Sequence, residues 1–176
     1  MNLKLLSHIF TVFLIICGTD ICFASPFIAK VSRIIDGDSI VVLRDQEKIE
    51  VRLYGIDSPE WRQTFSREAR SCLFRAVYEK NVMVFPQYYD SYGRLVAHIE
   101  RDGENINGYL VEHGCAWVYP HFCRQKICDR WYKKQKKAKQ EHEGLWQEEK
   151  PVSPWIWKRM KKKKNGTVFS GWLKGK

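Results

Sequence analysis

The stretch RIIDGDSIVVLRDQEKIEVRLYGI, Arg33 to Ile56, decides how the rest of the chain is read. Ile34, Ile35 and the run Ile40 to Leu43 have the β-branched, apolar character of buried strands. Between them Asp36-Gly37-Asp38 is a turn, because glycine accepts unusual backbone angles and aspartate bonds nearby amides. Further on, Ile49, Val51 and Leu53 alternate with Glu50, Arg52 and Tyr54, so one face is apolar and Arg52 lies on the other. A polar turn, Arg44 to Glu47, joins these last two strands. The Asp36–Asp38 turn needs only one of its two aspartates, which leaves the second without a structural task.

Outward from this centre, FIAKVSRII supplies a first strand. From Ser66 the period changes: Ala69, Cys72, Leu73, Ala76 and Val77 follow helical spacing, with Ser66 as N-cap and Glu68 in the electropositive first turn. VMVFP and GRLVAHIE return to strands. Asn105 caps a short helix that buries Ile106, Tyr109 and Leu110 and stops at Gly114. A third helix is expected from about Asp129 to Glu143, stopped by Gly144, with Leu145 and Trp146 folding back. Its lysines (Lys133, Lys134, Lys136, Lys137 and Lys139) read as a solvated face. The sum is one α+β domain whose strands close into a small barrel.

The two ends read differently from this body. Residues 1–24 carry one lysine, an apolar run from Ile9 to Ile16 and a small-residue cleavage point at Ala24, the layout of a secretory signal peptide. That run is too short for a membrane-spanning helix, so the mature chain is expected to begin near Ser25, secreted or periplasmic. Export removes Cys17 and Cys22 and leaves Cys72, Cys115, Cys123 and Cys128 in an oxidising compartment. Cys123 and Cys128 are the expected disulfide, whereas Cys72 and Cys115, among apolar neighbours, read as small buried residues. A zinc site from His121, Cys123 and Cys128 is the alternative, although its spacing matches no common ligand pattern. At the other end, residues 148–176 read as a separate basic tail spaced by Trp155, Trp157, Phe169 and Trp172. Of the formal charge of +10 on 176 residues, nine basic residues and no acidic one fall between Lys150 and Lys176. The near-neutral body and basic tail point to an anionic partner, nucleic acid or an anionic membrane surface.

Two further polar blocks lie where strands end. VRLYGIDSPEW brings Arg52, Asp57 and Glu60 to a proline-containing bend, and DSYGR places Arg94 beside Tyr92 in a tight turn. Each block alone is ordinary. Together with Asp38 they match phosphodiester hydrolysis. Two aspartates offer the oxygen ligands that Ca²⁺ or Mg²⁺ prefers, arginines grip phosphate oxygens while staying charged, and a glutamate can take a proton from water or hold it in line.

In that order, IDGDS, VRLYGIDSPE, DSYGR, LVEHGCAWVY and GLW, the chain resembles the staphylococcal-nuclease (thermonuclease) family over about Phe27 to Trp146. The resemblance implies a five-stranded OB-type β-barrel with three helices in a nuclease domain at 25–147, and Ca²⁺-dependent cleavage of DNA and RNA by a monomer. It implies Asp38, Asp57 and the Ser58 carbonyl as calcium ligands, Arg52 and Arg94 as phosphate-binding catalytic groups, and Glu60 as general base or water-positioning group. Tyr92 and Tyr119 would lie near the nucleotide. Ser91 stands where the best-known member of the family has a lysine, and the loop after Glu60 is shorter. The competing class is a non-catalytic OB-type nucleic-acid-binding module, which has no use for three carboxylates near a phosphate.

Overall fold

A computed structural model describes the backbone of residues 25–173 and the side chains of residues 25–163. The expected signal peptide at 1–24 and the side chains of Phe169 and Trp172 therefore lie outside the described residues. The strands are β1 (Phe27–Ile34), β2 (Ser39–Arg44), β3 (Glu47–Leu53), β4 (Ile56–Asp57), β5 (Asn81–Tyr89), β6 (Leu95–Arg101), β7 (Glu104–Asn105) and β8 (Trp117–Val118). The helices are α1 (Ser66–Val77), α2 (Ile106–Glu112), α3 (Ile127–Gln140) and α4 (Pro154–Leu173), with a 3-10 turn at Gly144–Gln147.

β1 runs antiparallel to both β2 and β5, β2 pairs with β3, and β5 pairs with β6. A parallel pairing of β3 with β6, Val51 to Leu95 through Leu53 to Ala97, closes the five long strands into a barrel. This is the expected OB-type α+β fold, with α4 as a helix beyond the three foreseen. Val31, Ile40, Val42, Val51, Val84 and Ile99 fill the interior. At roughly 1.5–3 kcal/mol for each buried aliphatic side chain, this core outweighs any single ion pair at the barrel's end. α1 adds the stripe Ala69, Leu73, Ala76 and Val77, as its spacing requires.

The register of closure puts polar residues at one end. Ser39, next to Asp38, pairs with Arg52, which pairs in turn with Val96, two residues from Arg94. The chain then turns at Gly55, whose φ of +71° favours glycine. A side chain there would also meet the Cys123 sulfur at 2.7 Å and the Trp131 ring at 2.9 Å. Past this turn, Asp57 in β4 pairs with Trp117 in β8, which brings Tyr119 alongside. Buried Asn107 fixes the arrangement from behind: it accepts from the Ile99 N–H at 3.1 Å and donates to the Tyr54 carbonyl at 3.0 Å.

Several local expectations are corrected. Ser66 is the first residue of α1 rather than its cap; Phe65 holds the cap position at φ +66° and no side chain caps the helix. α3 begins earlier and ends earlier than expected, at Ile127 and Gln140. Tyr54 leaves the polar face of β3 and is buried, because the turn rotates it towards Trp131 at 6.3 Å. Asn105 caps α2 as foreseen, accepting from the Gly108 N–H at 2.8 Å. Cys123 and Cys128 form a disulfide, which removes both thiols from the zinc alternative with His121. Cys72 and Cys115 are not free buried thiols: they are bonded across 43 residues with Cα atoms 6.4 Å apart, tying α1 to the segment after α2. Only the packing of α1 beside α2 brings them together, and no local spacing encodes it.

The chain after the 3-10 turn folds back onto the body. Val152 accepts a 2.6 Å hydrogen bond from the Gln63 amide, Ser153 is buried, and Trp155 lies against Tyr119 and Trp117. Pro154 opens α4 at the first helical position, where a missing N–H costs nothing. Among the described residues no helix is long and apolar enough to cross a membrane.

Candidate active site

Arg52 is the centre of the site. Its two terminal nitrogens face two buried carboxylates, one to Asp38 and the other to Asp57 Oδ1 at 2.7 Å. The same arm donates to the Ile56 carbonyl at 3.3 Å, which holds the guanidinium plane across the β3–β4 turn.

The paired aspartates of the opening turn divide their labour. Asp36 Oδ1 accepts the Asp38 N–H at 3.0 Å and makes the turn. Asp38 points inward, where Oδ2 accepts the Ser58 N–H at 2.6 Å and Oδ1 accepts the Ser39 hydroxyl at 3.3 Å. Gly37 permits this, since a Cβ there would meet the Ser58 side chain at 2.6 Å. The DGD turn and the DSPE bend thus fit each other backbone against backbone.

Asp57 is fully buried. Burial pushes its carboxyl above the usual aspartate range, against the pull of Arg52 and of Lys158 on α4. Its Oδ2 accepts no hydrogen bond, and its ion-pair partner is the Lys158 ammonium at 3.4 Å. Lys158 also pairs with Glu60 Oε1 at 2.9 Å. Burial alone would lower the ammonium, but Asp57 and Glu60 outweigh it and hold Lys158 above its ordinary value. Glu60 is held in place by its N–H donating to the Gln63 side chain at 3.0 Å.

Arg94 stands across the cleft, gripped by Asp90 Oδ2 at 2.8 and 2.9 Å. Asp90 Oδ1 takes the Tyr92 and Arg94 N–H groups at 3.0 Å each. The burial penalty on Asp90 is outweighed by these Arg94 and Tyr92 bonds, so its carboxyl sits below its ordinary value. A cleft of about 640 Å³ runs between the two arginines, bordered by Glu60, Tyr88, Tyr119 and Lys158. Tyr92 stands at its rim, largely exposed, with the Arg94 guanidinium 5.4 Å from its ring centre. Tyr119 is stacked on Trp155, centroids 4.9 Å apart and planes within 2°. Ser91 lines the cleft and offers it no charge.

The structure therefore gathers Asp38, Arg52, Asp57, Ser58 and Glu60 in one network, with Arg94, Tyr92 and Tyr119 around the same cleft. Sequence reasoning did not find Lys158 or Tyr88, and it named Trp155 only as an aromatic of the basic tail, not as a neighbour of Tyr119. The available signal was the spacing of Trp155 and Lys158, three residues apart and so on one face of a helix.

Asp38 and Asp57 bear on metal binding. All their donors are hard oxygens, and the Asp57 oxygen without a hydrogen bond is the kind of atom a cation relieves. Among the described residues no group of three or more His, Cys, Asp or Glu side chains forms a cage. The pair fits a hard divalent cation that takes the rest of its shell from carbonyl oxygen and water, and does not fit zinc.

Residues 50–148, more than half of the chain, match the family model described as staphylococcal nuclease homologue. An Escherichia coli protein named "uncharacterized endonuclease" is 35% identical over 133 residues, covering 75% of this chain and 85% of its own. A Shigella flexneri protein named micrococcal nuclease is 34% identical over 147 residues, covering 78% of this chain and 84% of its own. A Haemophilus influenzae protein, also named "uncharacterized endonuclease", is 34% identical over 134 residues, covering 76% of this chain and 74% of its own.

Proposed function

The chain belongs to the staphylococcal nuclease homologue family, and from that premise we propose that it is a Ca²⁺-dependent, sugar-nonspecific nuclease that hydrolyses phosphodiester bonds of DNA and RNA. The observation that carries this reading is the Asp38–Arg52–Asp57 network opening, with Glu60 and Arg94, on a single cleft. Buried carboxylates facing a phosphate would repel it in a pure binding module. They make sense where a cation sits between.

Asp38, Asp57 and the Ser58 carbonyl would hold that cation, whose chemistry is to neutralise charge building on the pentacovalent phosphate. Arg52 and Arg94 approach the scissile phosphate from two sides and stabilise the same charge through donors set in advance by their carboxylate partners. Glu60, fixed through Gln63, takes a proton from the attacking water or orients it. Tyr92 and Tyr119 present ring faces to the flanking nucleotide. Every group comes from one chain, which supports a monomer as the working unit.

Two disulfides that pair all four cysteines of the body support an exported protein, secreted or periplasmic. The test of function is incubation of the purified chain with plasmid DNA and with RNA, in Ca²⁺ and in excess chelator. Degradation of both in Ca²⁺ alone is expected. Undiminished cleavage in chelator would overturn the metal-dependent reading.

A further inference from the structure

We propose that Lys158, delivered by the C-terminal helix, is a third phosphate-binding catalytic cation of the cleft, held on Asp57 and Glu60 until a substrate phosphate competes for it. The proposal rests on the nuclease reading above.

Its placement is built rather than incidental. Four contacts fix the start of α4 on the body: the Gln63 amide on the Val152 carbonyl at 2.6 Å, the parallel stack of Trp155 on Tyr119, the edge of Trp155 on Trp117 at 5.7 Å, and the Lys161 ammonium 3.4 Å from the Trp61 carbonyl. Trp155 and Lys158 share one helix face, so the stack aims the ammonium into the cleft. There it reaches Glu60 at 2.9 Å and Asp57 at 3.4 Å and borders the same space as Arg52 and Arg94. Lys158 is half-exposed, yet its ammonium turns onto two carboxylates, and Lys161, one turn further along the same face, rests on the Trp61 carbonyl.

Charge decides what the ammonium is for. Arg94 is matched by Asp90, which leaves the carboxylates of Asp36, Asp38, Asp57 and Glu60 against Arg52 and Lys158. With a divalent cation on Asp38 and Asp57, a site lacking Lys158 would keep one negative charge and would repel a phosphodiester. With Lys158 it would be neutral, so the ammonium removes the repulsion that a phosphodiester would otherwise meet. The flexible stem of Lys158 would let the ammonium leave Asp57 and Glu60 for a phosphate oxygen, while Asp57 would remain free to hold a cation.

The test uses the full chain with Lys158→Met and Lys158→Arg. The measurements are cleavage of a short oligonucleotide in Ca²⁺, salt dependence of binding to a phosphorothioate oligonucleotide, and Ca²⁺ affinity by calorimetry. Lys158→Met should lower kcat/KM about tenfold, the loss of one charge-assisted hydrogen bond. It should flatten the log–log salt slope by about 0.7, one phosphate contact on a single strand. It should also tighten Ca²⁺ binding about twofold to fivefold, because a half-exposed ion pair no longer competes. Lys158→Arg should restore the slope. An unchanged slope and kcat/KM overturn the proposal, as does tighter Ca²⁺ binding with higher activity at limiting Ca²⁺ and no change in slope, which would make Lys158 only a competitor. A slope flattened by several units would mean that the whole helix has come away and the lysine merely pins it. A wild-type chain that cleaves nothing defeats the nuclease reading itself, a result separable from all of these.

Discussion

Arg52 stands on β3, Asp38 at the turn leading into β2 and Asp57 on the short β4, with side chains 18%, 2% and 1% exposed, whereas Lys158 stands on α4 and is 48% exposed. The first group is placed by the strands: Arg52 and Asp57 have ladder partners, and Asp38 is held just before β2 by the Asp36 turn and the Ser58 N–H. A slip of one residue would turn Arg52 to the other face. The second is placed by docking, through a stack, an edge contact and a few hydrogen bonds at the start of one helix. Both reach the same cleft, yet they differ in what their loss should do. Barrel-borne groups are bound up with buried charge, and their removal touches chemistry and stability together. Helix-borne groups can be taken away with the fold left standing, which makes α4 the place where affinity can be adjusted without rebuilding the barrel.

The largest effect should follow from breaking the barrel half. On the proposed reading Arg52→Ala removes a transition-state donor, so it should lower turnover about a hundredfold or more. It also leaves Asp38 and Asp57 buried without their shared partner, and breaking a buried pair typically costs about 3–5 kcal/mol. Calorimetric melting without metal should therefore show a marked drop in Tm, partly restored by Ca²⁺. Wild-type turnover in a folded Arg52→Ala protein would show that the chemistry lies elsewhere.

Taking away the helix half should do less. A chain ended after Glu149 keeps the family-matched body, so its Tm should change little. It loses all nine basic residues from Lys150 onward, so binding to long DNA should weaken and its log–log salt slope flatten by several units, at about 0.9 per phosphate contact. Short oligonucleotides should lose only what Lys158 and Trp155 provide. If melting collapses with the truncation, α4 belongs to the fold rather than to the site, and the comparison fails.

The same division explains what could be read in advance. Strand alternation in Ile49–Leu53 and helical spacing in Ala69–Val77 report burial directly, so the barrel and α1 were legible. Arg52, Asp57, Glu60 and Arg94 sit in short blocks beside strand ends, where a polar residue in an apolar context stands out. The spare aspartate was legible because a turn needs one and the stretch has two, but that Asp38 is the one facing the site came from the family resemblance. Lys158 was not legible, since it is one lysine among many in a segment with no apolar period. Its task arises only when Trp155 meets Tyr119, some 36 positions earlier. The Cys72–Cys115 bond was hidden for the same reason, two helices having to pack first.

A subtler effect on the barrel half concerns pH. Asp57 has a folded pKa raised above its unfolded value of 3.8 by burial. Such a group contributes stability that is fully present below that unfolded value and is lost as pH rises through the folded pKa. Metal-free Asp57→Asn should therefore gain in Tm relative to wild type at neutral pH, and the gap should close in acid below about pH 3.8. A gap that does not depend on pH would show that hydrogen bonding to Arg52, rather than buried charge, governs this position.

The smallest effect should come from Trp155→Ala, which tests whether docking of α4 and placement of Lys158 are one event. The stack on Tyr119 has its planes within 2°, and an aromatic pair of this kind is worth roughly 0.5–1.5 kcal/mol beyond its buried area. If the stack aims Lys158, that energy should reappear as a fall in kcat/KM of about threefold to tenfold on a short oligonucleotide. Trp155→Phe keeps a ring on Tyr119 and should recover most of the loss. Tm should stay within about 2 °C of wild type, because the core that sets it lies within the barrel. Combining Trp155→Ala with Lys158→Met should then cost little more than Lys158→Met alone, since neighbours acting through one contact are not additive. Full additivity would mean that Trp155 serves the substrate on its own account, as a second ring beside Tyr119, and that the helix half of the cleft contains two independent contacts where the geometry shows one.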